Sequence, residues 1–282
     1  MEVILDAVAK LDLLRVEAPI SGDEPILRAH PQSYIDGLTQ QLPSKGIVAL
    51  DPDTYMAAGS LNAARRAVGG IIRAVDMVLD GEAGNAFLAM RPPGHHAERE
   101  RSMGFCLFGT VAIAALHALE ARGLSRVAIV DFDVHHGNGT QDILWDEPRI
   151  RFFSSHEMPL FPGSGAENER GAHGQITNIP LPAQSTGALY RQKLDQIILP
   201  ALDEFEPELI LLSAGFDAHK GDPLANLNWE EGDFIYATAK LCEAAQKHCQ
   251  GRLVSALEGG YNLSTLGGLV CSHVGTLQEH SV

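Results

Sequence analysis

One pattern constrains this chain more than any other. A short apolar run is followed by a polar, glycine-rich loop and, in most instances, by a long amphipathic stretch. The runs are Phe87–Met90, Val127–Val130, Ile150–Phe153, Leu209–Leu212 and Arg252–Leu257. Their loops are Arg91–His96, Asp131–Gly139, Ser154–Gly165, Ser213–Pro223 and Glu258–Asn262. Helical patterns are expected over Glu2–Leu14, Tyr55–Leu79, Phe108–Arg122, Thr140–Trp145, Gly187–Phe205 and Glu230–Lys247, with one more after Asn262. Strands alternating with helices imply an α/β fold with a mostly parallel central sheet covered on both faces. Short, non-alternating apolar strands suit that burial. Ligands of such sheets sit beyond the carboxyl ends of the strands, so the five polar loops are expected to meet on one edge.

Composition narrows the function. The 282 residues are 45% hydrophobic and 20% charged, which allows a large core and excludes wholesale disorder. No Pro/Gly/Ser-rich linker divides them, so a single domain over 1–282 is expected. The formal net charge of −15 argues against binding nucleic acid or an anionic membrane. Cys106, Cys242, Cys249 and Cys271 form no C-x-x-C pair and read as free thiols of a reducing compartment. Met1–Lys10 lacks the basic start of a signal peptide, and the apolar runs are too short to span a bilayer. A soluble cytoplasmic protein is the expectation.

The richest loop is Asp131-Phe132-Asp133-Val134-His135-His136-Gly137-Asn138-Gly139. Asp131, Asp133 and His135 are spaced by two, so an extended chain would point them the same way. Asp217, after another strand, would complete a triad with Asp133 and His135. Three protein ligands plus an open position form the catalytic zinc pattern. An isolated Asp-x-His is weak; the whole string is much less expected of a solvated loop.

Arg91-Pro92-Pro93-Gly94-His95-His96 sets two imidazoles after a rigid turn, where they could move protons to and from water. An isolated His pair usually divides into one core and one surface residue, but Asp131 and Asn138 are available here to orient both rings. Glu258-Gly259-Gly260-Tyr261 could swing a phenol towards the same pocket to donate to an oxyanion, although Gly-Gly-Tyr alone is weak.

Taken together, Arg91–His96, Gly104-Phe105-Cys106, Val130–Thr140, Phe161–Gly165, Ser213–Pro223 and Leu257–Leu263 resemble the histone deacetylase family, in its class II-like bacterial branch. The resemblance runs from about residue 20 to 275. It implies a three-layer arginase-like fold and a zinc-dependent amidohydrolase. It casts Asp133, His135 and Asp217 as zinc ligands, His95 and His96 as the catalytic pair, and Tyr261 as the oxyanion donor. Phe105 and Phe161 would wall an acyl-lysine channel, with Gly104 on the substrate's stem and Leu224 on the lining. Asp131, Asp133, His135, Ser154 and Ser155 match a structural potassium site, with a second cation near the backbone of Leu144, Glu147 and Ile150. The chain departs from the branch in starting directly with a helix, without a preceding strand and a His-Pro-Glu-Arg-Pro-like loop. Asn138 stands where class I members carry aspartate, so a neutral partner would orient His96.

The leading expectation is hydrolysis of an acetylated or short-acylated lysine or similar primary amine. Acetylpolyamine hydrolysis is a second reading; the acidic charge suits it, but Leu224 stands where an acidic residue would favour a cation. A dimanganese ureohydrolase would want further bridging ligands, and a binding protein without activity would not need the full catalytic set. Oligomeric state is left open. His30, His117, His156, His173, His219, His248, His273 and His280 are read as surface or supporting groups. His136 is expected to bond within its loop, and Glu230, Glu231 and Asp233 to start a helix in solvent.

Overall fold

A computed structural model describes residues 1–281. The chain begins with α1 (Glu2–Val8), α2 (Asp23–Ile26) and α3 (Gln32–Gln40), then a small hairpin of β1 (Ile47–Ala49) and β2 (Tyr55–Ala57). Next come α4 (Ser60–Leu79), β3 (Asn85–Leu88), α5 (Thr110–Glu120), β4 (Val127–Asp131), α6 (Asn138–Ile143), β5 (Ile150–Glu157) and β6 (Ile176–Leu181). After α7 (Gly187–Lys193), a π turn over Leu194–Ile198 leads into α8 (Leu199–Phe205). The chain finishes with β7 (Leu209–Ala214), α9 (Glu231–Cys249), β8 (Leu253–Leu257) and α10 (Leu263–Glu279).

The main sheet has six strands in the order β3-β8-β7-β4-β5-β6, and every pairing is parallel. Alternate residues of the central strands feed two cores. Ala128, Val130, Ile210, Leu212 and Leu253 pack with α1 and α7–α10, whereas Val127, Ile129, Leu209, Leu211 and Val254 pack with α2–α5. Burial on both faces explains why these strands read as unbroken apolar runs. The order runs outward from β4 to β6 on one side and from β7 to β8 on the other. The β4/β7 boundary is therefore the switch point, where the following loops part and leave a crevice. Asp133 follows β4 and Asp217 follows β7.

Several expected boundaries move. Tyr55–Ala57 is a strand, and the helix expected from Tyr55 starts at Ser60. The Asp51 carboxylate accepts from the amides of Asp53 and Thr54 and folds the hairpin turn. The first helix ends at Val8 rather than Leu14 because the Arg15 guanidinium takes the carbonyls of Val8 and Leu11. The strand from Ile150 runs on to Glu157, so Ser154 and Ser155 are buried strand residues, not loop. The edge strand β6 and the short helices α2 and α3 carried no signal that the pattern above could use. The helix expected over Gly187–Phe205 is present but interrupted by its π turn.

Candidate metal centre and acid–base cluster

The loops after β3, β4, β7 and β8 do converge. The Asp-x-Asp-x-His string is not extended, however: it leaves β4 at Asp131 and bends. The amide of Asp133 donates to the Asp131 carboxylate (3.1 Å) and that of His135 to the Asp133 carboxylate (2.9 Å). These successive turns, rather than strand alternation, bring Asp133 and His135 together. Asp131 faces a different partner, His95, whose Nδ1 lies 2.9 Å from its carboxylate.

Asp133, His135 and Asp217 form one buried cluster, with a potential ligand atom from each within 4.8 Å of the others. His135 Nδ1 is 3.1 Å from Asp133 Oδ1 and 3.3 Å from Asp217 Oδ2. Ligands on a tetrahedral ion with bonds of ~2.0–2.2 Å lie about 3.4 Å apart, so this spacing fits zinc. Asp217 Oδ1 accepts from the Val134 amide, whereas the buried Oδ2 has no hydrogen-bond partner. An unsatisfied buried carboxylate oxygen is costly, and a cation would offset that cost. The walls are bare backbone. A Cβ on Gly215 would stand 2.1 Å from Asp133 Oδ2, and one on Gly259 would stand 2.0 Å from Asp217 Oδ2. The donor set and the space around it therefore fit a divalent ion.

The electrostatics agree. Burial, reinforced by Asp133, raises Asp217 to about 6, and burial raises Asp131 to about 6 against the pull of His95. Burial would depress His135, but Asp133 and Asp217 overcome it and raise this imidazole to about 10. Without a metal the cluster thus holds a proton that a bound cation would displace.

His95 and His96 lie in contact, with ring centroids 4.0 Å apart and the rings tilted 43° to each other. Burial disfavours charge on both, yet they diverge. Asp133, Asp131 and Glu258 overcome it at His95, which is pushed well above its ordinary value. At His96 burial is joined by repulsion from His95 and His135, and this ring is pushed well below. His96 Nδ1 lies 2.7 Å from Asn138 Oδ1, while the Asn138 amide donates to Glu98 Oε1 at 2.7 Å. That amide orientation makes Nδ1 the protonated nitrogen and leaves the Nε2 lone pair free.

Tyr261 is carried by Gly260, whose φ of 133° is open to glycine. Its amide donates to Asp222 Oδ2 at 2.7 Å, so Asp222 positions the tyrosine. Burial, with Asp217 and Asp133 close by, raises the phenol's pKa and keeps it a donor at neutral pH. Phe105 packs on Tyr261 at 5.9 Å, and Phe161 lies 5.1 Å from His96 and 6.1 Å from His135. Both phenylalanines are partly exposed (41% and 37%), so they flank the route from solvent to the buried cluster. Gly104 (φ +55°) abuts His96: a Cβ there would stand 2.3 Å from the ring. Leu224 is exposed on the loop after Asp222, its amide bonded to that carboxylate.

Two carboxylates matter more than their sequence context suggested. Buried Glu258 accepts from the amides of Gly94 and His95 and from Ser213, clamping three loops; burial raises it to about 7. Glu98 anchors Asn138. Glu258 directly precedes Gly-Gly-Tyr, which is the one available signal for it. Of the histidines read as surface or supporting groups, His30, His156 and His273 are buried supporting ones. Other assignments are corrected. His136 reaches beyond its loop to Ser164 and Gln141. Asp233 is buried, closing a capping box with Glu230 and pairing with Arg191. Ser154 and Ser155 do lie against β4, Ser154 opposite Asp131 and Ser155 3.4 Å from the Asp131 carbonyl.

Comparison with known proteins follows the same lines. A family model for the histone deacetylase domain matches residues 1–277. The chain is 39% identical over 291 residues to "Histone deacetylase 10, chloroplastic" of Oryza sativa subsp. japonica, covering 95% of this chain and 66% of that protein. It is 39% identical over 257 residues to the "Probable deacetylase" of Archaeoglobus fulgidus, covering 90% and 70%. It is 41% identical over 249 residues to the "Histone deacetylase-like amidohydrolase" of Pseudomonas aeruginosa, covering 87% and 65%. The chain thus spans about two thirds of the length of these relatives. Among solved structures, the HDA15 HD domain matches with a TM-score of 0.92 at 30% identity, over 98% of this chain and 82% of that one.

Proposed function

Because the chain belongs to the histone deacetylase family, we propose that it hydrolyses the amide of an acylated primary amine, with an Nε-acetyl-lysine side chain as the substrate. The observation that carries this reading is His96. It is a neutral, buried imidazole with one nitrogen fixed by Asn138 and the other free beside a three-ligand metal cluster. A zinc ion held by Asp133, His135 and Asp217 would polarise the acyl carbonyl and acidify an adjacent water.

The chain's own groups supply the rest. His96 Nε2 accepts a proton from the attacking water, and Nδ1–H keeps the ring aligned on Asn138. The Tyr261 phenol donates to the carbonyl oxygen as charge develops on it. His96 then returns its proton to the departing nitrogen, giving a carboxylate and a free amine. Asp131 bonds the His95 ring and Glu258 its backbone amide, which hold this histidine beside His96. Phe105 and Phe161 sheathe the aliphatic stem and exclude water. A potassium ion on Asp131, Asp133, His135, Ser154 and Ser155 belongs to the same proposal; its test is whether potassium raises the melting temperature more than sodium does.

The net charge of −15 favours a second substrate, an acetylated polyamine. Leu224 disfavours it, being exposed and apolar on the loop beside Tyr261's support, Asp222. Assay of the zinc-loaded protein on an acetyl-lysine peptide and on acetylputrescine separates the two. Higher kcat/KM on the peptide is expected; preference for acetylputrescine would overturn the lysine assignment.

A further inference from the structure

A second built feature lies away from the metal cluster, at the open edge of the sheet. Beside β6 is a cavity of about 310 Å³, lined by Arg151, Arg170, Lys193, Glu167 and the strand itself. Three cations against one carboxylate is an unusual balance for a protein this acidic. None of the three forms an ion pair among the described residues. Arg151 is the most constrained. It is partly buried, donates to the Gly174 carbonyl at 2.6 Å and lies over the Phe153 ring at 5.3 Å. Burial pulls its guanidinium below the usual value, with Glu204 acting the other way. Its remaining N–H donors have no partner among the described residues.

The strand adds to this. Gln175 O accepts from Phe152 and Leu181 O from Met158, so odd-numbered residues of β6 turn towards β5. Even-numbered residues face outward. Of these, Ile176 already donates to Arg170 O and Pro180 has no N–H, which leaves the Asn178 amide as the free edge donor. The Asn178 side chain is buried and donates to Gln141 Oε1 and the Glu169 carbonyl, so only its backbone N–H is offered to the cavity. An ammonium, two guanidinia and a peptide N–H lining one cavity suit a tetrahedral dianion better than a planar carboxylate.

We propose that this cavity binds a phosphate-bearing small molecule, its phosphoryl oxygens held by Arg151, Arg170, Lys193 and the Asn178 N–H. The volume lies at the small end of ligand pockets, about 300 Å³ upward, and fits a phosphorylated metabolite rather than a polymer. The proposal is independent of the chemistry at the metal cluster.

Calorimetric titration of the zinc-loaded protein with phosphate, pyrophosphate and succinate tests it. One-to-one saturable binding of phosphate or pyrophosphate, tighter than succinate, is expected. Arg151→Gln and Lys193→Gln should each weaken it by about tenfold or more, and Arg151→Lys should restore part of it. Glu167→Gln should tighten it by removing the opposing carboxylate. Arg126→Gln, away from the cavity, should leave it unchanged, and melting temperatures identify any variant that fails to fold. Absence of saturable binding, a preference for succinate, or equal losses in Arg126→Gln and Arg151→Gln would overturn the proposal.

Discussion

Two sets of buried histidines share this fold and do different things. His30, His156 and His273 each have both ring nitrogens engaged. His30 bonds Arg99 O and Gly109 N, His156 bonds Ser154 and Gly165 O, and His273 bonds Thr238 and Ser255. Thr238 gives its own hydrogen to Phe234 O, so His273 Nδ1–H donates to Thr238 and Nε2 accepts from Ser255. These rings are complete, neutral parts of the scaffold. His96 is buried too, but only its Nδ1 is engaged. What sets His96 apart from these rings is therefore not burial but a free Nε2 beside the Asp133–His135–Asp217 cluster. His95 makes the same point from the other side, since its carboxylate neighbours reverse the effect of burial.

Substitutions can break this contrast. The largest effect is expected at the acids. Asp217→Asn removes a ligand charge and should abolish both zinc retention and turnover, read by metal analysis and a reporter assay. His96→Ala should lower kcat by about 10²–10⁴ while zinc stays bound. Tyr261→Phe should cost about 10²–10³ in kcat with little change in fold.

The scaffold histidines should answer to pH instead. Burial lowers His273 to about 3 and His30 to about 4, against about 6.5 in the unfolded chain. Between those values the unfolded chain binds protons that the folded one refuses. Stability is thus full above pH ~6.5 and falls as pH drops below it, by up to about 1.4 kcal/mol per pH unit for each ring. Urea denaturation at pH 5 and pH 8 measures this. His273→Phe should lose about 1–3 kcal/mol at pH 8, by stranding the Ser255 hydroxyl, yet show a shallower acid slope and unchanged turnover. A variant with the wild-type slope would remove His273 from the account.

The parallel sheet and the site's membership were legible because both reside in short strings: apolar runs, and the Asp-x-Asp-x-His, Pro-Pro-Gly-His-His and Gly-Gly-Tyr loops. What could not be read depends on distant partners. Glu258 clamps amides more than 160 positions away in sequence, and Glu98 reaches Asn138 across 40 positions. Spacing by two suggested an extended Asp131–His135, whereas hydrogen bonds from each amide to the preceding aspartate fold it into turns. The strand β6 carries no strong apolar run because its edge position needs none; its residues mix Thr177, Asn178 and Pro180 with the apolar ones.

The most direct test of the central claim is a zinc titration of chelated protein, with hydrolysis of an acetyl-lysine peptide as the readout. Turnover should be absent without metal and should rise to a plateau at one equivalent, with Asp133→Asn giving none at any ratio. Full-rate hydrolysis by the metal-free protein would contradict it.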